Sequence, residues 1–146
     1  MEINESLQDI LSAEELVTRA FYETFLSRHP EMRVFFEGVD LDRQAVLLTM
    51  QLILLEQNYN HYNPATRKYL VQLGRRHQEL GIATDAYPAF QECLLQTLKR
   101  HHADAWDETL ERQWHSALDH AIEMMLEGYE PRDTSHTLPD SHTESA

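Results

Sequence analysis

The chain has 146 residues, 42% of them hydrophobic, with only four glycines and five prolines, which is enough apolar material for one domain with a buried core. Its formal net charge of −13 sets up a surface that repels phosphate backbones and anionic lipid headgroups, so nucleic acid and membranes are not expected partners. The lone cysteine, Cys93, excludes an internal disulfide and suits a reducing compartment, and its expected role is a small apolar residue on a helix.

Leucine-rich runs at helical spacing predict an all-α protein rather than a strand-and-turn one. A short first helix is expected from about Glu5 to Leu11, and Ser12-Ala13-Glu14-Glu15 has the spacing of a capping box for the second, which ends at His29-Pro30. A helical turn through Phe36 and a loop with Gly38 and Asp40 follow, then a helix from about Asp42 to Asn58. Its runs Val46-Leu47-Leu48 and Leu52-Ile53-Leu54-Leu55 are apolar on more than one face and predict burial between neighbours. Interrupted by Thr49 and Gln51, the stretch from Ala45 to Leu55 is too short to span a bilayer, and no charged-then-apolar signal opens the chain; a cytoplasmic protein is expected. Tyr59-Asn60-His61-Tyr62 reads as a loop.

Asn63-Pro64 supplies an N-cap and a first-turn proline, Gly81 a C-terminal stop, and between them Leu70, Leu73 and His77 recur at helical spacing. His77 thus shares an apolar helix face with Leu73. A neutral imidazole in that setting can offer one ring nitrogen to a metal while a carbonyl or side chain holds the other, although a histidine merely satisfied on a half-buried face is the ordinary alternative. Two further helices are expected, from about Ala86 to His102 and from about Ala105 to Tyr129, the last with a stripe of Leu110, Trp114, Ala117, Leu118, Ala121 and Met125. Opposite that stripe, Glu111, His115, Asp119, His120 and Glu123 offer metal ligands at four-residue spacing, as in helical di-iron proteins. A matching pair on a facing helix is required, and His101 and His102 have no carboxylate one turn away inside their own helix, so a solvated polar face is the expected role. From Glu130 onward large apolar residues give way to proline, serine, threonine and histidine, dividing the chain into a domain, 1–129, and a disordered polar tail, 130–146.

The motif Leu73-Gly74-x-x-His77-x-x-x-Gly81-Ile82 closely resembles the proximal-helix pattern of globins. Tyr87-Pro88 downstream, Phe21-Tyr22 and the run from Arg28-His29-Pro30 to Phe35-Phe36 upstream, and Trp114 in the last helix extend the resemblance to bacterial single-domain globins and to the globin half of flavohaemoglobins, over about Val17 to Tyr129. The resemblance implies the globin fold, a three-on-three helical sandwich, here with a shortened first helix that leaves part of the second and last helices less covered. It implies haem b (iron protoporphyrin IX) bound through His77 to iron, with Leu73, Ile82 and Tyr87 on the same side and Phe36 packed on the macrocycle. Aligning Gln57-Asn58 with a similar pair in the family puts Gln44 over the iron and Leu48 beside the ligand; a slip in the preceding loop would bring Arg43 or Leu47 there instead, and Phe35 is the neighbour alternative to Phe36. Tyr22 would point its hydroxyl at the ligand. Arg75 and Arg76 are candidates for the haem propionates or simply for water.

Such a protein reversibly binds dioxygen, and also nitric oxide and carbon monoxide, for oxygen storage or delivery or for nitric oxide detoxification. A phenol and an amide donor in a dry pocket stabilise a ligand whose outer atom carries partial negative charge, each hydrogen bond contributing about 1 to 3 kcal/mol, or about tenfold to a hundredfold in affinity. Nitric oxide dioxygenation would need an electron, and with no dinucleotide-binding glycine fingerprint in so short a chain the reductase is expected to be external. Ligand binding therefore ranks before enzyme activity. A gas sensor acting through a partner protein is the alternative. The family's glutamate on the last helix, which strengthens the proximal histidine, falls on Tyr129, with Glu123 and Glu127 nearby, so strong peroxidase-like chemistry is not expected.

Overall fold

The first helix begins where two glutamates satisfy each other's ends. In the computed structural model, which describes residues 1–131, Glu2 and Glu5 form a reciprocal capping box at the start of α1 (Ile3–Ser12). The box expected at Ser12 is not formed. Ile3, Leu7 and Ile10 make one continuous buried face, so α1 runs on through Ser12, whose hydroxyl donates to the Gln8 carbonyl at 2.8 Å. Helix α2 (Val17–Arg28) starts instead behind Leu16 without a side-chain cap and stops before Pro30, which opens a 3-10 turn, Pro30–Phe36.

Asp40 caps α3 (Leu41–Asn60), accepting from the backbone amides of Asp42 and Arg43. This helix takes in Tyr59 and Asn60, which the sequence pattern places in a loop; Asn60 donates to the Glu56 carbonyl and carboxylate, holding the last turn closed. The expectation of burial on several faces of α3 is also corrected. Leu48, Leu52 and Leu55 are buried, but Val46, Leu47 and Met50 are 48%, 43% and 56% exposed, because α1, α2 and α6 pack on one side of the helix and leave its outer turn to solvent.

Asn63 caps α4 (Pro64–Glu79) by accepting from the Ala65 amide at 2.9 Å, and Gly81, at φ +92°, carries the chain out of it. Helix α5 (Ala86–His102) ends at Ala103, a non-glycine residue at φ +51°. A 3-10 turn, Ala103–Ala105, occupies the expected start of the last helix, and Asp107 caps α6 (Glu108–Glu127) through the Leu110 amide. Among the described residues there is no strand, and no helix is long and apolar enough to cross a membrane.

Phe21 and Phe25 of α2, Leu52 of α3, Leu94 and Leu98 of α5 and Trp114 of α6 are fully buried at the centre. The short α1 is not loosely attached. Trp114 Nε1 donates to Ser6 Oγ at 2.9 Å inside the core, and the Gln113 side chain accepts from the Ile3 amide. Met124 rather than Met125 completes the buried stripe of α6; Met125 turns toward the cavity described below.

Helices α4 and α6 touch backbone to backbone. A methyl group on Gly74 would lie well inside the van der Waals envelope of the Met125 carbonyl, and one on Gly128 inside that of Val71. Pairs of Arg67 with Glu127 and of Arg75 with Glu130, together with two hydrogen bonds between Gln78 and the Glu130 backbone, flank this crossing. Glu130, assigned to the tail by composition, is therefore docked on α4. The remainder of that predicted tail, 132–146, lies outside the described residues. Gly74→Ala should destabilise the protein by about 3 kcal/mol, because the obstructing atoms are backbone and cannot rotate away. Urea denaturation of the purified variant measures this, and a loss under about 1 kcal/mol would mean that the helices separate easily.

Candidate functional site

A cavity of about 210 Å³ opens between α3 and α4 and is floored by α5 and α6. The eight residues that the resemblance assigns to a cofactor site all line it. His77 and Leu73 come from α4, Ile82 from the loop that follows it and Tyr87 from the start of α5, and Tyr22, Phe36, Gln44 and Leu48 from α2, the 3-10 turn and α3. Gln44 and Leu48 fall on the lining because they are one turn apart on the inner face of α3; Arg43 and Leu47, the slipped alternatives, are exposed and outside it. Phe35 and Phe36 both reach the cavity, and Phe36 packs on the Tyr22 ring with centroids 5.6 Å apart. Tyr22 itself is 4% exposed. Burial pushes its phenol up to about 12, an effect that the facing Gln44 side chain partly offsets.

On the opposite wall, hydrogen bonds fix the state of His77. Tyr129 Oη donates to the Ile82 carbonyl at 2.8 Å, which uses its only proton. Tyr87 Oη, 3.2 Å from Tyr129 Oη, must then donate to it, and so can only accept from His77 Nδ1, 2.9 Å away. The direction of the whole chain follows from one backbone carbonyl. His77 therefore carries its proton on Nδ1, and Nε2 is left with a free lone pair at the cavity. Burial, and secondarily the Arg76 guanidinium, holds the imidazole below its ordinary range, and burial raises both phenols.

Sequence reasoning located Tyr129 only as the place where a glutamate was lacking, and so missed that a phenol there completes the chain. The signal was available in its spacing from Trp114. Glu123 is exposed and Glu127 pairs with Arg67, so neither substitutes. It also missed Phe25, Phe90 and Leu94 as lining residues, which helical periodicity marks only as core. Arg75 is engaged by Glu130 at 3.2 Å, and neither Arg75 nor Arg76 lines the cavity. His115 and Asp119 pair at 3.1 Å on the surface of α6, and among the described residues no third ligand of the kind a metal needs is brought to them.

A single unprotonated imidazole nitrogen in a cleft lined mostly by aliphatic and aromatic side chains, with the Gln44 and Gln51 amides on the facing helix, matches what a porphyrin iron requires of a protein. Residues 19–125 match the globin family, and the chain belongs to it: the protein is a haem globin with the all-α globin fold. Two relatives extend the comparison. The chain is 30% identical over 88 residues to a flavohemoprotein of Candida albicans, covering 59% of this chain and 22% of that protein. It is 32% identical over 96 residues to a flavohemoprotein of Bacillus thuringiensis subsp. konkukian, covering 64% and 23%. The chain thus spans under a quarter of the length of these relatives.

The raised phenol of Tyr22 has a consequence for stability. An unfolded tyrosine loses its proton near pH 10.0, whereas folded Tyr22 holds it to about 12. Between these values the unfolded state binds fewer protons, so stabilisation present below pH 10 is lost as pH climbs toward 12. The urea midpoint should fall over this window and fall less steeply in Tyr22→Phe; identical slopes would show that the phenol is not buried as described.

Proposed function

We propose that this globin holds haem b with His77 as the protein ligand to iron and reversibly binds dioxygen, and also nitric oxide and carbon monoxide. The observation that carries the reading is the directed chain from the Ile82 carbonyl through Tyr129 and Tyr87, which presents His77 Nε2 unprotonated across the cleft from Tyr22 and Gln44. When bound, haem supplies an iron with one position open to a diatomic gas. His77 would hold that iron through Nε2, and Tyr87, hydrogen-bonded to Nδ1, keeps the imidazole ring from turning. Leu48, Leu73 and Phe36 exclude water, so a hydrogen bond made in the cleft is not exchanged for one to solvent. Tyr22 remains protonated throughout the physiological range and donates to a ligand atom that gains negative charge, with Gln44 as a second donor. Carbon monoxide, less polarised, gains less from the same pair.

The chain behind His77 ends on a neutral carbonyl rather than a carboxylate, so the imidazole gains little added electron density. That favours a binding or storage role over oxidative chemistry. A second reading, oxidation of nitric oxide to nitrate, needs an electron from a reductase, and the likeness to flavohemoproteins, whose name joins a flavin to the haem, supports such a donor. The strongly acidic surface would suit docking on a basic reductase patch, and the single buried thiol, Cys93, suits the cytoplasm.

His77→Ala should lose its haem on gel filtration and recover the Soret band when imidazole is added; full haem retention without imidazole would overturn the assignment. Tyr22→Phe should speed dioxygen dissociation about tenfold in stopped flow while changing carbon monoxide dissociation little. Equal effects on both gases would return Tyr22 to a packing role.

A further inference from the structure

We infer a second metal site, separate from the cleft, where the end of α5 meets α1: Asp9, His101 and His102 form a three-ligand pocket for a borderline divalent transition ion such as zinc. Asp9 Oδ2 lies 3.0 Å from His101 Nε2 and 3.3 Å from His102 Nδ1, and the three ligand atoms all fall within 4.8 Å of one another. In a tetrahedral zinc site with bonds of about 2.0 to 2.1 Å, neighbouring ligand atoms sit about 3.3 Å apart. The two carboxylate-to-imidazole separations are within about 0.3 Å of that value, the two imidazole nitrogens lie within 4.8 Å of each other, and the more exposed His101 has room to adjust.

His101 and His102 are the last two residues of α5, and from there both rings reach the Asp9 carboxylate of α1. The chain leaves α5 directly after them through Ala103 at φ +51°, a conformation an alanine side chain disfavours. The His102 side chain is 1% exposed and fixed from behind: its Nε2 lies 2.7 Å from Ser6 Oγ, which also accepts from Trp114, and its ring stacks on Trp106 at 6.0 Å. The serine hydroxyl can donate to Nε2 or accept from it by rotating, so it supports the ring whether Nδ1 carries a proton or a metal. Asp9 and His101 keep side-chain exposures of 52% and 25%, which gives an ion an entry path and leaves a fourth position for water. Two nitrogen donors and one oxygen select against calcium and magnesium. The carbonyl end of α5 adds favourable potential for a cation. Such an ion would staple the short α1 to the far end of α5.

The test is calorimetric titration of the full-length, tag-free protein with zinc chloride, with melting temperature read in parallel. One zinc per chain should bind and raise the melting temperature, and Asp9→Asn and His101→Ala should each weaken the affinity by about tenfold or more. Both substitutions are at partly exposed positions, and an unaltered far-ultraviolet spectrum establishes that each variant is folded. His115→Ala, in the surface pair on α6, should leave binding unchanged. Absence of binding under zinc excess would overturn the proposal, as would equal affinity in the wild type and both ligand variants, or a loss confined to His115→Ala.

Discussion

Direct contact between the backbones of α4 and α6 is the constraint on which the rest of the site depends. With no side chain at Gly74 or Gly128 the helices approach until carbonyl oxygens meet α-carbons, closer than ordinary ridge-and-groove packing allows. His77 lies one turn beyond Gly74, and Tyr129 follows Gly128 directly. The same crossing that removes space between the helices therefore delivers the imidazole and the terminal phenol to the same wall. Polar pairs at the margins, from Arg67 with Glu127 to Gln78 with Glu130, are exposed and individually weak, but they keep the two helices from sliding.

The polar groups of the cleft obey a simple accounting of protons. Tyr129, Tyr87 and His77 each have one proton to give in that chain, and the Ile82 carbonyl can only accept, so the order of donation admits a single solution. A carboxylate at the Tyr129 position would accept from Tyr87 as well, but with a negative charge that reaches the imidazole through the phenol. Two phenols ending on an amide carbonyl give the same orientation with less charge. Position and electronic push, often discussed together, are separable here. Across the cleft, burial keeps the Tyr22 phenol protonated rather than an anion, so that wall carries a neutral hydroxyl and no negative charge.

The N-terminal helix shows how a shortened element can still be well held. Ile3, Leu7 and Ile10 bury one face, and Ser6 carries a hydrogen bond from the core tryptophan, whose indole N–H would otherwise be left without an acceptor. The reduced cover expected from a short first helix is therefore offset at α6 by specific contacts, while the outer turn of α3 leaves Val46, Leu47 and Met50 exposed.

Local signals made most of this protein legible before its fold was known. Asn63-Pro64 and Gly81 bound α4 through backbone rules that act within a few residues, and the three-to-four-residue recurrence of Leu70, Leu73 and His77 assigned its inner face. The family resemblance pointed to Gln44, and helix spacing put Leu48, one turn on, on the same side of α3. Where two local rules competed, the tertiary structure decided: the Ser12 capping pattern lost to the buried face of α1, and the loop read at Tyr59-Asn60 lost to a helix whose last turn closes on Glu56. The partnership of Tyr87 with Tyr129, spanning 42 residues, and the meeting of Asp9 with His101 and His102 have no local signature at all. Hydrogen-bond direction and ligand convergence depend on distances between side chains of different helices, and sequence spacing reports distances only within one helix.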